Sequence, residues 1–274
     1  MKITLIRQCT KFRLEQFRHS LVLTLLETHK RDQHLLNPTV IDSFRGYLEE
    51  VNVKSKATPG SVLITTAQGG SFCRGFDFRK KRCRLMQLLV TNKLWCINSI
   101  RYVRSHAGGS EDKAYKEMND GFKDVVKDLI SLPMPTIAAI NGYATEAGLI
   151  LALSHDHLTM KQVVEPYLRA ELLSRKRSYP GYFAALIRSK VGCPLARRKL
   201  LLRDVQIDAE EAAKIGLLDW NHEVATEKDA LEVAKTQADE LAKKEWDGEL
   251  YAEMRQLLYP ELCKELELTS SHSC

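Results

Sequence analysis

Nowhere in the 274 residues do apolar side chains run unbroken for the length of a bilayer. The run Leu21–Leu26 is far too short, and no small-residue cleavage site follows it, which argues against export. Thr136–Leu153 comes nearer in length, but Asn141, Gly142, Glu146 and Gly148 interrupt it, and hydrocarbon would penalise those residues. There is no internal repeat and no low-complexity linker, so solenoids and strings of small modules are excluded. The seven cysteines, Cys9, Cys73, Cys83, Cys96, Cys193, Cys263 and Cys274, are odd in number and scattered, with neither a CxxC pair nor metal-ligand spacing. That pattern fits a reducing compartment and a chain that uses neither a disulfide framework nor a metal.

What is present is enough apolar material, 44% of the residues, to bury the core of one large α/β domain. The formal charge of +6 suits a phosphate-bearing ligand as well as a nucleic acid. Its source is local. Arg79–His106 carries eight Lys or Arg residues and no acid, and the rest of the chain is slightly acidic. A solvated basic loop accounts for such a stretch, and Cys83–Tyr102 has no clear period of either kind.

The ordered signals alternate. Leu21–Leu26 reads as a buried strand, and Asn37-Pro38 opens a helix whose apolar positions Val40, Ile41, Phe44 and Leu48 recur at helical spacing. After the break at Thr58-Pro59-Gly60, Ser61–Thr66 is a β-branched strand, followed by a glycine-rich loop, Ala67–Phe78. Glu111–Leu132 shows a stripe of Met118, Phe122, Val125, Val126 and Leu129 that Pro133 ends. Pro135–Ile140 is a further strand, and Asn141-Gly142 turns the chain into a buried helix, Thr145–Leu153. Strand, helix, strand, helix, strand, helix implies right-handed crossovers and a parallel sheet. From Tyr182 onward the pattern is nearly all helical: Asp208 caps Ala209–Ile215, Gly216 stops it, and Glu227–Lys244 is amphipathic.

Two loops that follow buried strands are the candidate site: Ser71–Asp77 and Asn141–Gly148. Ligands of open α/β folds gather at such strand ends, where backbone N–H groups point outward, and two converging amides would make an oxyanion hole. Each loop alone is also what an ordinary tight turn looks like.

Together with their surroundings these segments resemble the crotonase superfamily, the enoyl-CoA hydratases and isomerases. Met134–Ala144, with Ala147-Gly148 and Leu151–Asp156, resembles its central signature. Ser61–Thr66 with Gly75-Phe76-Asp77 is similar to its first substrate loop, and Asp208–Ala212 through Gly216–Asp219 to its late helix and turn. Gly148–Asp156, Pro180–Phe183, Ala196–Leu202 and Trp246–Cys263 resemble one branch, the plant delta3-delta2-enoyl-CoA isomerases. The resemblance runs from about Leu21 to about Leu268, excepting roughly Arg79–His106.

The resemblance implies an α/β fold, a crotonase-like spiral of ββα units with a C-terminal helical segment. It implies a core over residues 1–205 with an acyl-CoA site, an atypical basic insertion at 79–106, and a helical oligomerisation segment over 206–274 that usually builds a trimer. The oxyanion hole would use the backbone N–H groups of Arg74 and Ala147. Gly75, Phe76, Asp77 and Gly148 would bind substrate, and Phe72, Phe76 and Tyr143 would line the acyl or pantetheine channel. The catalytic glutamate falls on Glu171, where the family's acidic-aliphatic-glycine run is replaced by Leu172–Ser178. Glu146 and Glu165 are rival carboxylates. Ile150 stands where hydratases place a second glutamate, which disfavours water addition. His155 and Asp156, adjacent at the end of a buried helix, read as structural.

The expected reaction is isomerisation of 3-enoyl-CoA to trans-2-enoyl-CoA in unsaturated fatty-acid β-oxidation: one carboxylate carries a proton from C2 to C4 while two amides hold the thioester enolate. No cofactor is needed beyond the coenzyme A of the substrate. A degenerate homologue that binds acyl-CoA without turnover is one alternative. An RNA-binding protein using the basic insertion is another, although only Trp95 and Tyr102 interleave aromatics there. The chain ends His272-Ser273-Cys274, unlike a Ser-Lys-Leu signal, so peroxisomal residence follows from the family alone and a cytoplasmic location is the alternative.

Overall fold

The computed structural model describes residues 3–27, 33–58, 60–77, 97–161, 167–171, 179–218 and 229–268. A six-stranded sheet forms the spine, in the order β1 (Thr4–Gln8), β2 (Phe12–Phe17), β3 (Ser20–Leu25), β4 (Val62–Ala67), β6 (Thr136–Ile140), β8 (His157–Met160). From β3 to β8 it is parallel, as the alternation of strands and helices implied. The first two strands escaped the sequence reading. They pair antiparallel with each other and with β3, and Arg13, Glu15 and Gln16 on β2 obscure its hydrophobic pattern.

A second, smaller parallel sheet, β5 (Ser71–Cys73), β7 (Tyr143–Thr145) and β9 (Leu168–Arg169), was also not foreseen. Strands of two or three residues are too short to establish a period. This sheet positions the candidate site. Each of its strands follows a strand of the large sheet or its neighbour, so the two glycine-rich loops lie side by side.

The helices grow from legible signals. In α1 (Pro38–Ala57) the Asn37 side chain accepts the Val40 N–H at 3.0 Å with Pro38 at the first turn, and Val40, Ile41, Phe44 and Leu48 are buried. The helix α2 (Ile97–Ser131) ends ahead of Pro133 as expected, but it starts well before Glu111: Gly108-Gly109 does not interrupt it. Residues 79–96 of the basic insertion lie outside the described residues, as do Glu165 and 172–178.

Next come α3 (Ala147–Leu153), wholly buried, α4 (Gly181–Lys190) and α5 (Pro194–Leu202). In α6 (Ala209–Lys214) Asp208 accepts the Glu211 N–H at 2.8 Å, and Gly216 follows at φ 73°. The alanine face of α7 (Ala230–Ala242), Ala230, Ala234 and Ala238, packs on one side of the sheet against Val22, Val62, Ile64, Ile137 and Ala139. The alternate strand residues, such as Leu23, Leu63 and Ala138, face the main core with α1 and α2. Small residues on α7 let helix and sheet approach closely, and burying each aliphatic partner contributes about 1.5–3 kcal/mol. Last are α8 (Gly248–Leu258) and α9 (Pro260–Glu265).

An ion pair fastens α8 to this frame. Arg255, 3% exposed, meets Asp156 with Nε and Nη2, each at 2.7 Å, and donates to the carbonyls of Ile130, Leu132 and Met134 at 3.0, 2.7 and 2.6 Å. Asp156 accepts in addition from the Thr136 amide and hydroxyl. One guanidinium thus satisfies the orphan carbonyls at the end of α2. Among the described residues no helix is long and apolar enough to cross a membrane.

Candidate active site

The two loops touch. Ser71 and Cys73 pair in parallel with Tyr143 and Ala144, and the contact is so close that a Cβ on Gly148 would stand 1.9 Å from the Cys73 carbonyl oxygen. A Cβ on Gly142 would meet the Gly70 carbonyl oxygen at 2.2 Å. Both glycines are demanded by backbone approach rather than by turn geometry.

The first loop is pinned from behind by residues 33–36. The Leu36 amide donates to the Gly75 carbonyl and the Asp77 amide to the Leu36 carbonyl, both at 2.8 Å. The Arg74 amide donates to the Gln33 carbonyl at 3.1 Å. This corrects the expected oxyanion pair, because an N–H held by a backbone carbonyl of the fold is not aimed at a ligand. In extended backbone the Arg74 and Phe76 amides, two residues apart, would point the same way; Gly75 at φ 91° breaks that alternation next to the Leu36–Phe76 bridge. The Arg74 N–H falls on the Gln33 side, and the Phe76 N–H faces the second loop.

Phe76 N–H meets the Glu146 carboxylate, Oε2, at 3.0 Å. Gly75 makes room for that contact: at φ 91° it adopts a backbone that side chains resist, and a Cβ there would lie 2.1 Å from Glu146 Oε2. Glu146 itself is 3% exposed and held at φ 54°, ψ −122°, a strained conformation for a residue with a side chain. Its amide donates to the Arg169 carbonyl at 3.0 Å, and its carbonyl accepts from Leu149 at 3.1 Å. The next amide, that of Ala147, opens α3 and has no hydrogen-bond acceptor among the described residues.

Glu171 follows β9, half-buried and at φ 54°. Its amide donates to Asp204 Oδ1 at 2.7 Å, and Arg169 bonds the same carboxylate, at Oδ2, at 3.2 Å. Asp204 thereby fixes the backbone from which the Glu171 side chain departs. Sequence reasoning missed this residue, which sits in an irregular segment with no motif around it.

Tyr179 lies within the electrostatic reach of both glutamates. Its hydroxyl donates to the Ala170 carbonyl, and its ionisation is pushed up by burial first and then by the negative charge of Glu146, with smaller contributions from Asp204 and Glu171. Cys73, fully buried beside the same loop, has its thiol pushed up to about 12, chiefly by burial, with Glu146 adding to the effect. The thiol is therefore protonated and is no nucleophile.

Aromatic rings floor the site. Phe76 makes edge contacts with Tyr115 at 5.9 Å and Phe122 at 5.7 Å, and Phe183 gathers Phe122 and Tyr179 at 6.1 and 4.8 Å. On the other flank the Arg74 guanidinium lies over the Tyr143 ring at 4.2 Å, and Tyr143 leans on Tyr167 at 4.7 Å. Phe72 is fully buried.

His155 and Asp156 are not a catalytic dyad. The His155 Nδ1–H donates to the Leu151 carbonyl at 2.9 Å, which leaves Nε2 to accept from the Thr65 hydroxyl at 2.8 Å. Both ring nitrogens are spent in the core, and Asp156 is spent on Arg255 and Thr136. Among the described residues no three His, Cys, Asp or Glu side chains gather where a metal ion could be held.

Two sheets whose strand ends set the Phe76 and Ala147 amides beside one buried and one half-buried glutamate define an α/β protein with a candidate acid–base site. Residues 104–257 match the family model described as enoyl-CoA hydratase/isomerase. The chain is 37% identical over 250 residues to enoyl-CoA delta isomerase 3 of Arabidopsis thaliana, covering 91% of this chain and 94% of the relative. It is 38% identical over 241 residues to the peroxisomal enoyl-CoA delta isomerase 2 of the same plant, covering 88% and 90%. Among solved structures, the probable enoyl-CoA hydratase of Mycobacterium tuberculosis superposes with a TM-score of 0.68 at 15% identity, over 94% of this chain and 92% of that one. The chain belongs to the enoyl-CoA hydratase/isomerase family, the crotonases, and its fold is theirs.

Proposed function

We propose that this protein isomerises 3-enoyl-CoA to trans-2-enoyl-CoA by way of a dienolate. The thioester oxygen sits between the amides of Phe76 and Ala147. Glu171 takes a proton from C2, and the double bond shifts as the negative charge collects on that oxygen. The same carboxylic acid then returns the proton to C4. Each step leaves the electron count unchanged, so no redox cofactor takes part, and coenzyme A enters only as part of the substrate.

The observation that supports this reading is the apposition of the two loops, across which the Glu146 carboxylate reaches the Phe76 amide beside the start of α3. Plant relatives named enoyl-CoA delta isomerases, similar over nearly the whole chain, support the choice of reaction. The absence of an acid at Ile150 favours proton shuttling over hydration, which benefits from two carboxylates. Gly75, Phe76, Asp77 and Gly148 frame the thioester, and the rings of Phe76, Tyr115, Phe122 and Phe183 form the apolar wall for the acyl chain. By analogy with the relatives that carry the word in their names, the compartment we propose is the peroxisome, and the assembly is a homotrimer built through residues 206–274.

The test is conversion of a 3-enoyl-CoA followed at the 2-enoyl product. Glu171→Gln is expected to lower kcat by roughly 10²–10⁴-fold, the range for losing a positioned acid–base group. Turnover at the wild-type rate in that variant would remove Glu171 as the base. A second reading, acyl-CoA binding without turnover, draws on the Glu146 carboxylate already seated on the Phe76 amide. Tight CoA-ester binding with no proton exchange at C2 would favour it.

A further inference from the structure

We propose that Glu146 is a built-in occupant of the oxyanion hole, a carboxylate that the substrate's thioester oxygen must displace before it can bind. The inference rests on the reading of the Phe76 and Ala147 amides as that hole.

Four features of the loops carry it. The Glu146 Oε2 already accepts the Phe76 N–H at 3.0 Å, the bond a thioester oxygen would need. The Ala147 N–H, the other donor, follows Glu146 directly in the chain and has no acceptor among the described residues. The carboxylate reaches its place through the space left by Gly75, whose Cβ would stand 2.1 Å from Oε2. The residue is buried to 3% exposure on a backbone at φ 54° and ψ −122°, so the fold holds it there against local strain.

The consequence is competition for one donor. An N–H cannot fully serve a carboxylate and a carbonyl oxygen at once, and hydrogen bonds to ionised groups are about twice as strong as neutral ones. A carboxylate beside the growing negative charge of a dienolate also opposes it. Substrate binding therefore requires Glu146 to leave Phe76, and the protein holds acyl-CoA more weakly than its cavity would otherwise allow. Glu146 acts on thioester affinity, not as the proton carrier, because its carboxylate bonds the group that holds the oxygen rather than facing C2.

The full chain, as wild type, Glu146→Ala and Glu146→Gln, is titrated with a saturated acyl-CoA and with free CoA, which has no thioester oxygen, and assayed with a 3-enoyl-CoA. Glu146→Ala is expected to tighten the acyl-CoA by on the order of 10- to 100-fold while leaving free CoA unchanged, the range for removing one charge-assisted competitor. Glu146→Gln, neutral but of the same size, gives a smaller gain of the same kind. It carries the comparison if thermal denaturation shows that Glu146→Ala is unfolded. Acyl-CoA affinity that is unchanged or weaker in the folded variants overturns the proposal, as does equal tightening of free CoA. Loss of turnover with unchanged binding would make Glu146 a reacting group and also overturn it. Tighter acyl-CoA binding with no conversion by any form would leave the plug standing and sink the isomerase reading, so the two fail separately.

Discussion

Several single atoms decide whether the site exists. A methyl group on Gly148 would lie 1.9 Å from the Cys73 carbonyl oxygen, and the clash is with backbone, which cannot swing aside. Gly148→Ala is therefore expected to push the two loops apart. Isomerase activity should fall by at least ~100-fold, the scale of losing an oxyanion donor, while circular dichroism stays native-like. Full activity in this variant would mean that the loops need not touch. The glycines at 75, 142 and 148 were visible in the sequence as a motif, but which of two amides in the first loop faces the ligand was not. Arg74 and Phe76 are two residues apart, and the turned backbone of Gly75 at φ 91°, with the bonds to residues 33–36, gives one amide to the fold and the other to the site. Glu146 stood out as an odd residue in its loop; that its carboxylate folds back on Phe76 follows from the space beside Gly75, a contact seventy residues away in sequence.

At the scale of elements, α8 is fastened by Arg255. Burial alone would raise the carboxyl of Asp156, but the guanidinium overrides it and holds the group down to about 2. Removing the arginine would leave a buried carboxylate and several carbonyls unpaired. Arg255→Ala should cost roughly 3–5 kcal/mol of unfolding free energy in urea, the usual penalty for breaking one side of a buried pair. A loss below about 1 kcal/mol would show that water or another cation takes over. The helices themselves were readable: Asn37-Pro38, Asp208 and Gly216 act where their chemistry says they should. The second sheet and the β1–β2 hairpin were not readable, since strands of two or three residues, or strands half covered with charge, carry no usable period. Arg255 was equally hidden, one arginine on an amphipathic helix with nothing local to mark it as buried.

For the molecule as a whole, two neighbouring buried groups set the response to acid. His155, enclosed in the core, is pushed down to about 4 by burial, against an ordinary value of 6.5. Between those limits the unfolded chain binds a proton that the folded chain refuses, so stability falls as pH drops from 6.5 to about 4, by an amount on the order of 3 kcal/mol. Asp156, depressed from 3.8 to about 2, stabilises the fold above its unfolded value and loses that contribution as pH falls further. Urea unfolding across pH 7 to 4 should show this slope, and replacing His155 with glutamine should flatten its upper part. A flat profile in the wild type would mean that His155 is charged in the fold. The same core that resists protonation anchors β4 through Thr65 and carries α3 to the site.

The most direct measurement is a crystal structure of the full chain with a saturated acyl-CoA bound. The expected result is the thioester oxygen about 3 Å from both the Phe76 and Ala147 nitrogens, Glu146 turned away from Phe76, and the Glu171 carboxylate facing C2. A thioester oxygen bound elsewhere, with the Glu146 carboxylate still on the Phe76 amide, would contradict it.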